Sequence, residues 1–139
     1  MQVTTYLGFS ADCKQAFEFY ERVLSGKITF MMTWGESPMA GQHPELKDKI
    51  MHATLQLPGG GIINGADHPD GKAVKPAGFS VAVTVKDPAE AERIYKGLSE
   101  GGQIQMELQK TFWSPAFGMF IDKFQVPWMV NTEGPMPSA

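Results

Sequence analysis

The sequence carries the same helix signal twice, 75 residues apart. In the first copy Asp12 precedes a segment whose apolar residues recur at helical spacing, and the Ser-Gly pair at 25–26 ends it. In the second copy the Asp-Pro pair at 87–88 begins a similar segment, and two glycines at 101–102 end it. The copies align with one inserted residue. Such an internal repeat predicts two similar folding units in one chain.

Each predicted helix follows one strand-like segment and precedes three others. The predicted strands are residues 3–9, 27–34, 50–57 and 61–65 in the first half, and 79–85, 103–109, 117–122 and 127–132 in the second. This order predicts an α+β fold with two tandem βαβββ modules at residues 1–66 and 78–132. We expect residues 67–77 to form a linker and residues 133–139 a flexible tail.

The composition is that of a globular protein without nucleic-acid or membrane partners. The chain has 139 residues, of which 42% are hydrophobic and 19% charged, unlike a disordered chain. Its net charge of -3 and the lack of a Lys/Arg cluster argue against binding a phosphate backbone. No apolar run approaches the ~20 residues that cross a bilayer, and the first residues do not resemble a signal peptide. We therefore expect a cytoplasmic protein.

Four segments resemble the PhnB-like branch of the vicinal oxygen chelate superfamily, which includes glyoxalase I, bleomycin-resistance proteins and extradiol dioxygenases. They are TYLGFSADCKQAFEFYERVLSG, DKIMHATL, LQKTFWSPAFG and DKFQVPWMVN. TFW followed by FG and then by DKF-x-VPWM is the most specific combination. The resemblance spans residues 1 to about 132 and implies curved mixed sheets that form half-barrels around a cleft.

The resemblance also implies four positions for the ligands of a divalent metal, which would bind two adjacent substrate oxygens. These positions fall near Thr5, Asn64, Ser80 and Met129. None of the four is a strong ligand for zinc, nickel or iron. We therefore expect no standard metal site and no cofactor, and we expect the four residues to converge on one cavity.

Three histidines leave a different metal site open as an alternative. His52 lies on the third predicted strand, His43 in the long loop 35–49, and Asp67 and His68 just beyond the fourth predicted strand. Their spacing matches no compact ligand motif. The other interpretation is two loop histidines and one strand histidine that is hydrogen-bonded to a neighbour.

Aromatic residues and methionines near the strand ends favour a small-molecule pocket, although most such residues will belong to the core. A cleft with aromatic walls and a few polar groups is typical of ligand sites. The candidate ligand-binding residues are Thr5, Tyr6, Trp34, His52, Asn64, Ser80, Thr111, Phe112, Trp113, Trp128 and Met129. No nucleophile, catalytic triad or carboxylate pair stands out, and Cys13 is predicted to face the core.

The resemblance implies a glyoxalase/bleomycin-resistance-like protein that binds a small molecule in an aromatic cleft without the standard metal. Two alternatives stay open. One is a metal-dependent lyase or dioxygenase that uses His52 and loop residues, and the other is an antibiotic-sequestering resistance protein. Some PhnB-like proteins carry the label of ubiquinone-pathway methyltransferases, but this sequence has no glycine-rich loop after a strand that would hold S-adenosylmethionine.

Two further expectations concern assembly and one turn. Sheet edges must be paired or covered, and Trp113 would suit an interface, so we expect a homodimer. The PhnB-like pattern usually has glycine after DKF, where this chain has Gln125. Either Gln125 adopts a left-handed backbone conformation, or the turn has changed type.

Overall fold

The computed structural model describes residues 1–72 and 75–134, and the chain divides into two compact units, Met1–Val74 and Lys75–Ala139. The first unit contains β1 (Thr5–Phe9), α1 (Cys13–Val23), β2 (Lys27–Thr33), a short 3-10 helix (Pro44–Leu46), β3 (Ile50–Gln56) and β4 (Ile62–Asp67). The second contains β5 (Val81–Val85), α2 (Pro88–Ser99), β6 (Gln103–Gln109), β7 (Phe117–Ile121) and β8 (Pro127–Thr132). The predicted α+β fold with two βαβββ units is confirmed. Most of the predicted tail, residues 135–139, lies outside the described residues.

Each unit holds one four-stranded mixed sheet. The strand order is β1-β4-β3-β2 in the first unit and β5-β8-β7-β6 in the second. The first strand of each unit pairs in parallel with the last, and the other pairs are antiparallel. Asp67, predicted to begin the linker, is instead the last residue of β4 and pairs with Phe9 of β1.

The buried carboxylate of Asp67 fixes the start of α1. Its Oδ1 accepts a hydrogen bond from the Cys13 backbone N–H at 3.0 Å, and its Oδ2 accepts one from the Ile50 N–H at 2.8 Å. Asp12 occupies the N-cap position but makes no capping bond with its side chain, so the sequence indicated the right position and the wrong capping group. Asp67 thereby ties the first turn of the helix to the start of β3.

Helix α2 begins as the sequence predicts. The Asp87 side chain accepts a hydrogen bond from the Ala89 N–H at 2.9 Å, and Pro88 occupies the first turn, where its missing N–H costs nothing. Helix α2 has 12 residues and α1 has 11. Neither helix, nor any other among the described residues, is long and apolar enough to span a membrane.

A close approach between helix and sheet closes the core of the first unit. Leu7, Leu55 and Ile63 are almost fully buried on the sheet face that α1 covers. On the same face, a Cβ added at Gly65 would lie 2.8 Å from the Phe17 ring. The absence of a side chain at Gly65 therefore lets α1 lie directly against β4.

In the second unit, a buried carboxylate organises the turn between β7 and β8. Asp122 is 1% exposed and accepts hydrogen bonds from the backbone N–H groups of Phe124 and Val126 at 2.8 and 3.0 Å. The indole Nε1–H of the fully buried Trp128 donates to its other oxygen at 2.8 Å. One side chain thus joins the turn to the largest residue of the core.

Gln125 adopts the left-handed conformation in this turn, with φ 72°. Its side chain is exposed, so it gains little packing in return for the strain. We expect Gln125→Gly to raise the free energy of unfolding by about 0.5–1 kcal/mol, because the relieved strain exceeds the greater unfolded-state entropy of glycine. Chemical denaturation measures this change. Gln125→Ala, which keeps the Cβ, should give no gain, and a destabilised glycine variant would contradict the prediction.

Candidate functional site

The sheet face of the first unit that α1 leaves uncovered carries a row of candidate site residues. The strand register aligns Tyr6 of β1, Asn64 of β4, Thr54 of β3 and Phe30 of β2. Tyr6 is 56% exposed and Phe30 is 44% exposed. Because side chains alternate along a strand, these four point to the face opposite the buried core.

A chain of hydrogen bonds crosses this face. The Tyr6 hydroxyl lies 3.1 Å from Nδ1 of His52, and Nε2 of His52 lies 3.1 Å from the Thr54 hydroxyl oxygen. Thr54 donates to Oδ1 of Asn64 at 2.8 Å, and Nδ2 of Asn64 donates to the Thr4 hydroxyl at 3.1 Å. Five side chains from the β1, β3 and β4 region form one continuous network.

The direction of these bonds determines where His52 carries its proton. The Thr54 hydroxyl has one proton and gives it to Asn64, so it can only accept a hydrogen bond from His52. We therefore expect His52 to carry its proton at Nε2, with Nδ1 as the acceptor for the Tyr6 hydroxyl. Partial burial of the Tyr6 phenol, and secondarily the neighbouring Cys13, raises its pKa, which keeps this donor protonated.

We expect long-range proton–nitrogen NMR correlations to show His52 as the Nε2–H tautomer. His43 and His68 provide an internal comparison, because each contacts a carboxylate through Nδ1, at 3.3 Å from Glu45 and 3.0 Å from Asp70. These two rings should carry a proton on Nδ1. Thr54→Val removes the hydroxyl that accepts the hydrogen bond from Nε2–H, and should weaken the preference of His52 for the Nε2–H tautomer. A proton on Nδ1 of His52 in the unaltered neutral protein would contradict the deduced network.

Thr5 lies on the other side of the sheet from this network. It pairs with the buried Ile63, whereas Tyr6 pairs with Asn64. The residue that accompanies Asn64 and His52 is thus Tyr6, one position away from the predicted Thr5. Cys13 is fully buried, as predicted, and burial together with the charges of Asp67 and Asp12 raises the pKa of its thiol. Cys13 is a core residue rather than a nucleophile.

The sheet face of the second unit that α2 leaves uncovered contains an open cavity of about 690 Å³. Ser80 and Met129, two of the four residues that we expect to converge on one cavity, both line it. The remaining lining residues come from the segment before β5 and from β6, β7 and β8; they are Lys75, Pro76, Ala77, Gly78, Phe79, Gln105, Met119, Ile121 and Pro127. The cavity therefore combines an apolar floor with a few polar groups.

The other predicted site residues lie elsewhere. The Trp34 ring packs edge-on against His43 in the loop after β2, with 5.4 Å between ring centroids. Phe112 is 80% exposed beside Trp113 in the loop between β6 and β7. Thr111 shapes this loop by accepting a hydrogen bond from the Ser114 N–H at 3.1 Å.

Trp128 was predicted to bind ligand, but the structure places it in the core with no exposed surface. It pairs with Phe120 of β7, which is also fully buried, and its indole N–H donates a hydrogen bond to Asp122. Its neighbour Met129 points to the opposite face, into the cavity. An aromatic residue near a strand end looks the same in sequence whether it faces the core or a cavity.

The model of the Glyoxalase/Bleomycin resistance protein/Dioxygenase superfamily matches residues 4–130 of the chain.
The chain belongs to this superfamily.
Protein YjdN of Escherichia coli (strain K12) is 31% identical over 147 residues, covering 99% of each chain. The solved structure of protein PA1353 from Pseudomonas aeruginosa is 41% identical, with a TM-score of 0.87, and covers 96% of this chain and 98% of that one. The PhnB protein from Bacillus cereus, provisionally named a 3-demethylubiquinone-9 3-methyltransferase, is 25% identical, with a TM-score of 0.77 over 95% of this chain and 99% of that one.

The resemblance implies four metal positions, and the side chains at or beside them differ from the ligands that transition metals prefer. The side chains nearest those positions are a protonated phenol, an amide, a hydroxyl and a thioether, from Tyr6, Asn64, Ser80 and Met129. Within residues 1–72 and 75–134, no three His, Cys, Asp or Glu side chains come together in a metal-binding arrangement. His52 uses both ring nitrogens in hydrogen bonds, while His43 and His68 each contact a carboxylate two residues away.

Sequence reasoning missed several residues of both surfaces. Met119 and Ile121 lie on the same face of β7 because side chains alternate along a strand. The register pairs Met119 with Met129 of β8, so all three side chains share the cavity face. Thr4 and Thr54 could be recognised only from their hydrogen bonds to Asn64 in the structure. No sequence pattern identifies Lys75 as a site residue, because it lies in the predicted linker.

Proposed function

We propose that this superfamily member binds a small organic molecule in the cavity of its second unit and functions without the superfamily's standard metal. The proposal rests on the size and lining of this cavity. Its volume of about 690 Å³ falls within the range of small-molecule sites, roughly 300–1,000 Å³. Side chains of Phe79, Met119, Ile121 and Met129 would contact an apolar ligand, and the Ser80 hydroxyl and Gln105 amide would orient it.

The metal-free part of the proposal rests on donor chemistry. A phenol, an amide, a hydroxyl and a thioether do not form a zinc, nickel or iron site. The alternative of a metal-dependent lyase or dioxygenase would require His52 to give up one of its two hydrogen bonds. Elemental analysis of the purified protein should find well under one zinc, nickel or iron per chain. A stoichiometric metal that survives dialysis would favour the enzymatic alternative instead.

A neutral fluorescent probe tests the cavity directly. N-phenylnaphthylamine is apolar and fluoresces more strongly when it leaves water, so titration into the protein should give a saturable increase. Ser80→Trp fills the cavity and should reduce probe affinity at least about tenfold. Thr84→Trp is the matched control, because Thr84 is exposed on the same face of β5 but does not line the cavity. Equal binding by both variants would exclude the cavity as the binding site.

We also propose that the protein is a homodimer. Strands β2 and β6 each end a sheet, and such edges expose backbone groups that a second chain can pair or cover. The exposed pair Phe112 and Trp113 would suit an interface. Sedimentation equilibrium should give twice the chain mass at tens of micromolar, and a monomer at that concentration would remove this part of the proposal.

A further inference from the structure

The charge of the proposed binding cavity is unbalanced. Among the described residues that line it, Lys75 is the one charged side chain, and the others are apolar, Gly, Ser or Gln. No carboxylate therefore stands among these lining residues to pair with the Lys75 ammonium. A ligand that brings a negative group would provide the missing partner.

The preference for an anion would be local rather than a property of the whole protein. The chain has 15 Asp and Glu residues against 12 Lys and Arg residues, which gives a net charge of -3. At long range this charge weakly repels anions. An anion that binds tightly must therefore gain its affinity from a nearby cation, and within the described lining that cation is Lys75.

The positions of the charged and apolar groups define the shape of the ligand. Lys75 lies in the exposed segment that precedes β5, while Met119, Ile121 and Met129 come from β7 and β8. An ammonium group on a long flexible stem can stay hydrated at the rim and still meet a charged ligand group. The apolar part of the same ligand would then lie on the methionine and isoleucine side chains, which adapt to irregular shapes.

We infer that the ligand is an amphipathic anion, a small molecule with an apolar body and one carboxylate or other oxyanion group that pairs with Lys75. This inference rests on the proposed function, because it uses the same cavity. It names the chemical class that the site selects, with Lys75 as the residue that determines specificity. Neutral molecules with the same apolar body would bind more weakly, and cationic ones more weakly still.

Two probes with the same carbon skeleton test the inference. Anilinonaphthalene sulfonate is N-phenylnaphthylamine with an added sulfonate, so the difference in their affinities isolates the effect of the charge. We expect the sulfonate to bind about five- to tenfold more tightly at low salt, and the difference to shrink as salt rises. Hexanoate should displace N-phenylnaphthylamine at lower concentration than hexylammonium does.

Substitution of the lysine completes the test. Lys75→Met keeps most of the apolar stem, removes the charge, and should abolish the preference for the sulfonate while leaving binding of the neutral probe unchanged. Lys86→Met is the matched control, because Lys86 is exposed in the same unit but does not line the cavity, and it should retain the preference. If both probes bind equally and Lys75→Met changes neither, the anion inference fails while the cavity stands. If neither probe responds to Ser80→Trp, the proposed function itself fails.

Discussion

Asp122→Ala is expected to lower the free energy of unfolding by about 3–5 kcal/mol. The substitution removes the acceptor for the N–H groups of Phe124 and Val126 and for the Trp128 indole. Each buried donor that loses its partner costs about 1–3 kcal/mol, and refilling of the space by water can offset only part of the total. Urea denaturation monitored by circular dichroism measures the change.

Two variants separate this hydrogen-bonded role from a general effect of losing a carboxylate. Asp122→Asn keeps an oxygen for the turn but presents an amide to the Trp128 N–H, so its loss should be intermediate. Asp87→Ala removes an exposed helix cap with one backbone contact and should cost about 1 kcal/mol. An Asp122→Ala variant that unfolds at the same urea concentration as Asp87→Ala would show that the buried network contributes little.

Gly65→Ala is expected to destabilise the first unit by about 3 kcal/mol. The new methyl group would lie 2.8–2.9 Å from two carbons of the Phe17 ring and 3.0 Å from the Leu7 carbonyl oxygen. The ring is fully buried and the carbonyl belongs to a neighbouring strand, so neither can move without disturbing the core. Thermal or chemical denaturation gives the magnitude.

Gly8→Ala is the control for this prediction. Gly8 lies on β1, the strand next to β4, and a Cβ added there would meet no heavy atom within 4 Å. Alanine at this exposed position should leave stability unchanged or slightly increased, because it reduces the entropy of the unfolded chain. Equal losses for the two variants would mean that glycine is needed for its backbone freedom and not for the approach of α1.

The fold could be predicted from the sequence because its signals are local. The helix starts, the Gly stops and the alternation of β5 depend on residues close together in the chain. The strand ends were less accurate because pairing determines them. Strand β4 continues to Asp67, since β1 supplies a partner for its last residues. The capping role of Asp67 at Cys13 joins residues 54 positions apart, which no local pattern reveals.

The candidate site was predictable only in part. His52 was singled out by its residue type and Asn64 by the position that the resemblance implies, and hydrogen bonds through Thr54 join the two side chains. The choice between Thr5 and Tyr6 depended on the register with β4, because a shift of one residue reverses the face. How the site residues of the first unit relate to the cavity that contains Ser80 and Met129 stays a prediction.

The parallel pairing of first and last strands has a consequence for synthesis of the chain. Strand β1 forms its inter-strand hydrogen bonds with β4. The N–H and C=O groups of β1 therefore have no strand partner until residues 10–61 have been synthesised. In the second unit, β5 likewise has no partner strand until β8 has been synthesised. Each sheet can close only when its last strand has left the ribosome. A nascent chain that stalls before β4 or β8 emerges therefore exposes an unpaired strand to other chains.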